Sequence, residues 1–95
     1  MNKYELMFII DPALEDAKKD EVVETVKGIV TAAGEVLDTD VWGLRKLAYP
    51  IQKKGEGYYV VMHFNAEPEL PKELDRRLRI SDHCIRHIII NLDEE

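Results

Sequence analysis

The sequence predicts an α+β fold of the ferredoxin-like βαββαβ type, a four-stranded antiparallel sheet with two helices on one face. Three observations predict it. Four segments are short, apolar and rich in β-branched or aromatic residues, two others repeat apolar residues at helical spacing, and they follow one another as β-α-β-β-α-β. Ninety-five residues make one core and not two, so residues 1–95 read as a single domain with a very short acidic tail.

The first strand is Tyr4 to Ile10, YELMFII, stopped by Asp11-Pro12; its near-continuous apolarity suits a central position. Glu15 to Ala33 then reads as a helix, with Val22, Val26, Ile29, Val30 and Ala33 on one stripe, Val23 at its edge, and Asp16, Lys19, Asp20, Lys27 and Thr31 mostly away from it. Gly34 is a natural C-terminal stop, and Gly28 inside the helix costs about 1 kcal/mol against Ala. Glu35 to Tyr49 is a long extended segment in which Gly43 marks a bulge or bend. Pro50 to Glu56 is a hairpin loop, and Gly57 to Asn65 the third strand. Pro68 and Pro71 introduce a helix to about Ile80, with Leu70, Leu74 and Leu78 four residues apart, and Cys84 to Leu92 is the fourth strand.

Two helices cover one face of such a sheet, yet several strands are apolar on both. Leu6, Phe8 and Ile10 oppose Met7 and Ile9; Tyr58, Val60, Met62 and Phe64 oppose Tyr59 and Val61; Ile85 and Ile89 oppose Ile88, Ile90 and Leu92. An open apolar face is an interaction surface unless loops or the long second strand cover it.

The net charge of −6 argues against nucleic acid until its distribution is considered. Residues 1–40 carry 4 basic and 10 acidic groups, residues 41–92 carry 9 and 6, and Asp93, Glu94 and Glu95 close the chain. Exposed charges more than about 10 Å apart are screened, so a phosphate backbone senses the local basic groups rather than the total. No stretch approaches the roughly 20 apolar residues of a membrane span, and no basic-then-apolar run suggests a secretion signal. The one cysteine, Cys84, excludes an internal disulfide, and a cytoplasmic location is expected.

Catalytic or metal chemistry finds little footing. His83 and His87 would be neighbours on a helix, but on a strand they stand about 13 Å apart, at roughly 3.3 Å per residue, with Cys84 on the opposite face. His63, alternating with apolar residues, reads as an interface or partly buried histidine rather than a ligand. Ser81, the only serine, suits a turn or cap. Lys54-Gly55-Glu56-Gly57-Tyr58-Tyr59 is a weak echo of an RNA-recognition motif, with Glu56 where the first aromatic belongs. Basic residues cluster in Arg45-Lys46, which on a strand face opposite ways, with Lys53 and Lys54, and in Arg76, Arg77, Arg79 and Arg86. The helical arginines also fit surface pairs Glu73–Arg77 and Asp75–Arg79.

At Leu44-Arg45-Lys46-Leu47-Ala48-Tyr49-Pro50-Ile51 the chain resembles the family of bacterial small-ribosomal-subunit protein six. Tyr4-Glu5 with Asp11-Pro12, Gly43, Gly57-Tyr58-Tyr59, Glu73 to Ile80, and Ile85-Arg86 agree with that family's pattern in order and spacing, covering about Tyr4 to Leu92. The resemblance implies the same ferredoxin-like fold and a structural, non-catalytic constituent of the small subunit. It implies binding to the central domain of small-subunit ribosomal RNA together with small-subunit protein eighteen, a small basic partner, and a part in subunit assembly and translation. No cofactor, metal, membrane or small-molecule substrate is expected. Within that expectation Lys3, Arg45, Lys46, Arg79 and Arg86 are the candidates for phosphate or partner-acid contacts, and Tyr4, Tyr49 and Tyr59 for stacking or packing at the same surface. The rivals are a stand-alone single-strand RNA binder using the sheet as platform, and a ferredoxin-like ligand sensor or enzyme, which would need convergent titratable groups in a pocket.

Overall fold

A computed structural model describes the backbone of residues 1–51 and 54–93 and the side chains of residues 1–46 and 56–93. The elements follow the expected order: β1 (Asn2–Ile10), α1 (Asp16–Thr31), β2 (Gly34–Ile51), β3 (Lys54–Ala66), α2 (Glu69–Arg79) and β4 (Cys84–Asn91). The four strands form one antiparallel sheet in the order β2-β3-β1-β4. β1 is central, as its apolarity on both sides requires. The hairpin is longer than its sequence suggests, because β2 and β3 continue pairing as far as Ile51 and Lys54. Tyr49 and Lys53, named above, lie outside the residues whose side chains are described.

Direct partners across an antiparallel pair point to the same face. Tyr4↔Phe64, Leu6↔Met62, Phe8↔Val60 and Ile10↔Tyr58 therefore define one face of the β1–β3 pair, and Glu5↔His63, Met7↔Val61 and Ile9↔Tyr59 the other. The first face carries the core: Leu6, Phe8, Ile10, Val60, Met62 and Phe64 are fully buried beneath Val23, Val26 and Val30 of α1 and Leu70, Leu74 and Leu78 of α2. The leucine spacing of α2 is thus its buried stripe. In α1 the stripe is turned from its expected position: Lys19, Val23, Val26 and Val30 are buried, Val22 and Ile29 are only half-buried, and Ala33 is exposed. Lys19, expected on the polar face, belongs to the buried stripe. Its stem packs inward while its ammonium sits 4.9 Å from the centre of the Tyr58 ring and 3.6 Å from Asp16.

Two glycines act differently from one another. Gly34 opens β2 rather than closing α1, which ends at Thr31, and its φ is not positive. It is needed for close approach: a Cβ there would lie 2.4 Å from the Asn65 carbonyl oxygen. Gly43 does mark a bulge, with φ +80 and a register shift between Val41 and Gly43.

Candidate functional site

The face of the sheet away from the helices is apolar in the middle and charged at its margins. Met7 and Ile9 of β1, Tyr59 and Val61 of β3, and Ile88 and Ile90 of β4 share it by register. Ile9 and Val61 are nearly buried by their neighbours, whereas Ile88 and Ile90 are 44% and 46% exposed. A shallow cavity of about 160 Å³ opens here between Met7, Ile9, Tyr59, Arg86 and Ile88. The long second strand covers one part of the face: the bulge at Gly43 turns Trp42 over Tyr59, with ring centres 6.3 Å apart and planes within 9°. The indole N–H donates to Asp40 at 2.9 Å, which fixes the ring's orientation.

His63 stands at the acidic margin. Its Nδ1 lies 2.7 Å from Asp38 of β2 and its Nε2 3.0 Å from Glu5 of β1, so one imidazole ties three strands together. The Asp38 bond first, and the Glu5 bond after it, outweigh partial burial and raise the His63 pKa above its ordinary 6.5. This cluster was only half legible. Alternation around His63 indicated an interface histidine, but Glu5 and Asp38 become its partners through the strand register.

The basic candidates do not converge on one patch. Lys3 and Arg86 lie on the open face by register, as does Arg45 opposite Gly57, while Lys46 points to the other side, as the alternation predicts. Arg79 is on the outer side of α2, 2.6 Å from Asp75, and Arg76 and Arg77 share Glu73 at 2.6 and 2.8 Å. The Glu73–Arg77 and Asp75–Arg79 pairs are the expected ones and Arg76 adds a third; the Glu73 carboxyl is held down at about 2, through its bond to Arg76 and then that to Arg77. Asp75 is lowered chiefly by its bond to His87.

Two expectations about placement need correction. Tyr4 does not share a surface with Tyr59. It is 5% exposed on the helix-covered face and stacks on Phe64 at 5.5 Å between ring centres, as its common parity with Leu6, Phe8 and Ile10 could have shown. Cys84 and His87 are not on opposite faces either. A register shift between Ile9 and Ile10 sets Cys84 opposite Ile10 and His87 opposite Phe8, so both face the helices. His87 reaches Asp75 at 2.6 Å, and burial pushes the Cys84 thiol up to about 11, well away from a reactive thiolate. Ser81 accepts the His83 amide at 3.3 Å, the turn role expected of it.

Chemistry finds no convergent set elsewhere. Among the described residues, no three His, Cys, Asp or Glu side chains gather to hold a metal, and no helix is long and apolar enough to cross a membrane. A cavity of about 280 Å³ between α1 and α2 has an apolar floor of Val22, Val26, Ile29 and Leu78 and a polar rim that includes Glu21, Thr25, Ser81 and His83. Lys18 and Arg77 beside it are paired with Glu21 and Glu73.

Comparison with known proteins agrees with this geometry. Residues 3–91 match the family model described as "Ribosomal protein S6". The chain is 48% identical over 94 residues to the small ribosomal subunit protein bS6 of Alkaliphilus metalliredigens, covering 99% of this chain and 100% of that one. It is 50% identical over 95 residues to the protein of the same name from Clostridium acetobutylicum, with the same coverage. The crystal structure of 30S ribosomal protein S6 from Thermotoga maritima superposes with a TM-score of 0.91 at 33% identity, covering 95% of this chain and 86% of that one. On the family match over nearly its whole length, the chain belongs to the ribosomal protein S6 family, structural rather than enzymatic proteins of the small subunit of the cytoplasmic ribosome.

Proposed function

We propose that the chain binds the central domain of small-subunit ribosomal RNA jointly with small-subunit protein eighteen and thereby helps to assemble the subunit. The observation that supports this reading is the open sheet face, where Met7, Tyr59, Ile88 and Ile90 form a partly exposed apolar strip that neither helix covers. Such a strip suits a protein partner better than RNA, because Glu5, Asp38 and Asp40 beside it repel phosphate. Tyr59, already stacked on Trp42, is a packing residue for that partner. RNA contact then falls to basic side chains at the margins, Lys3, Arg45, Lys46, Arg79 and Arg86. Tyr4, held in the core, supports β1 rather than stacking on a base.

The test is a titration against a central-domain RNA fragment, with and without protein eighteen, at two salt concentrations. Tight binding that needs both proteins and weakens steeply with salt is the expected result, since neutralised phosphates release counterions. Tight binding by this chain alone would replace the reading with the RNA-platform alternative. Arg45→Ala with Lys46→Ala is expected to weaken the ternary complex at least tenfold while leaving thermal unfolding unchanged. Unaltered affinity would remove those two residues from the interface.

A further inference from the structure

Both ring nitrogens of His63 face carboxylate oxygens, Asp38 Oδ1 at 2.7 Å and Glu5 Oε1 at 3.0 Å. An ionised carboxylate only accepts hydrogen bonds, and a neutral imidazole carries one N–H. Both contacts therefore form together when the ring is an imidazolium, a cation seated between two anions from different strands. The other charged groups that register places on this face of the sheet are Lys3 on β1, Glu35, Asp40 and, farther along, Arg45 on β2, and Arg86 on β4. On β3 the ring is flanked by Val61 and Asn65, and beyond Glu5 lies Ile90 of β4. Glu5 and Asp38 are 31% and 63% exposed, so an incoming ammonium or guanidinium can reach both.

We propose that His63 is a proton-releasing latch on the open face: a cationic protein segment docking there takes over Glu5 and Asp38, and His63 gives up one ring proton to solvent. This rests on the docking reading above and adds its regulation. The apolar strip supplies contact area, and the acidic margin selects a basic partner. The His63 imidazolium competes with that partner for the same two carboxylates. Only one N–H bond breaks: imidazolium becomes neutral imidazole, and the proton passes to water or buffer. Because binding and deprotonation are linked, affinity rises with pH until His63 is already neutral in the free chain, by at most tenfold per pH unit for one proton.

The experiment is calorimetry of the full chain with protein eighteen in two buffers of very different ionisation enthalpy, at about pH 6 and about pH 9. The expected result is release of up to about one proton per complex at the lower pH, almost none at the higher, and tighter binding at the higher. His63→Gln, checked for an unchanged circular-dichroism spectrum, should still bind but lose the release and the pH dependence. Tight binding without release, release that persists in His63→Gln, or proton uptake would overturn the latch while leaving the docking reading intact. Absence of binding at both pH values would end the docking reading and the latch with it.

Discussion

The two faces of this sheet are built from the same kinds of residue and do opposite things. On one, Leu6, Phe8, Val60 and Met62 are sealed beneath two helices; on the other, Met7 and Tyr59, one residue away along the same strands, remain partly open beside Ile88 of β4. The difference lies in what covers each face. Apolar surface buried within the chain contributes folding free energy, whereas apolar surface left open contributes to association. Substitutions of similar chemistry should therefore separate the faces. Phe8→Ala should cost about 3–5 kcal/mol in urea unfolding, the range for an aromatic deleted from a packed core. Ile88→Ala, at a site 44% exposed, should stay within about 1 kcal/mol of the parent yet weaken binding of protein eighteen. Equal losses of stability at the two sites would break the distinction.

The margin between the layers gives the next largest effect. Gly34→Ala places a methyl group 2.4 Å from the Asn65 backbone oxygen, which cannot yield without moving β3. A loss of about 1–3 kcal/mol in the same measurement is expected, typical of overpacking. A variant as stable as the parent would mean that the start of β2 can shift freely.

The sheet's covered face was largely readable in advance, because strand alternation and the Leu70-Leu74-Leu78 spacing report burial directly. The readings that moved did so for local physical reasons. Lys19 joined the buried stripe of α1 because a long stem can be buried with its charge beside Tyr58 and Asp16. Cys84 changed faces because one bulge reverses the alternation beyond it. The open face was legible as apolar but not as organised. Trp42 over Tyr59 depends on the Gly43 bulge, and the Glu5–His63–Asp38 cluster depends on pairing between residues up to 58 positions apart. Periodicity within a strand cannot supply register between strands.

The bulge offers a sharper probe of that organisation. Gly43→Ala forces a side chain to φ +80, at about 1–2 kcal/mol. Trp42 is the only tryptophan, so its fluorescence reports the stack on Tyr59 directly. Nothing within 4 Å obstructs the added methyl, so strain alone should act. A shifted emission maximum with modest destabilisation is the expected outcome. Unchanged emission would show that Trp42 is held by Asp40 and Tyr59 irrespective of the bulge.

The smallest expected effect is the dependence of stability on His63. Its bonds to Asp38 and Glu5 raise its folded-state pKa above 6.5. A group raised in this way stabilises the fold fully below its unfolded value and loses that contribution as pH rises through the folded one. His63→Gln should therefore lower stability more at about pH 5.5 than at about pH 9, by less than about 1 kcal/mol, the usual range for partly exposed ion pairs. Urea midpoints of both proteins at the two pH values measure it. On the covered face, Asp75, bonded to His87 and Arg79, gives the opposite sign: its lowered pKa stabilises above 3.8 and loses effect as pH falls through the folded value. Acid thus loosens the α2–β4 contact, and alkali the open-face cluster. An equal penalty for His63→Gln at both pH values would mean that the ring joins the strands by packing alone, with the two carboxylates adding nothing.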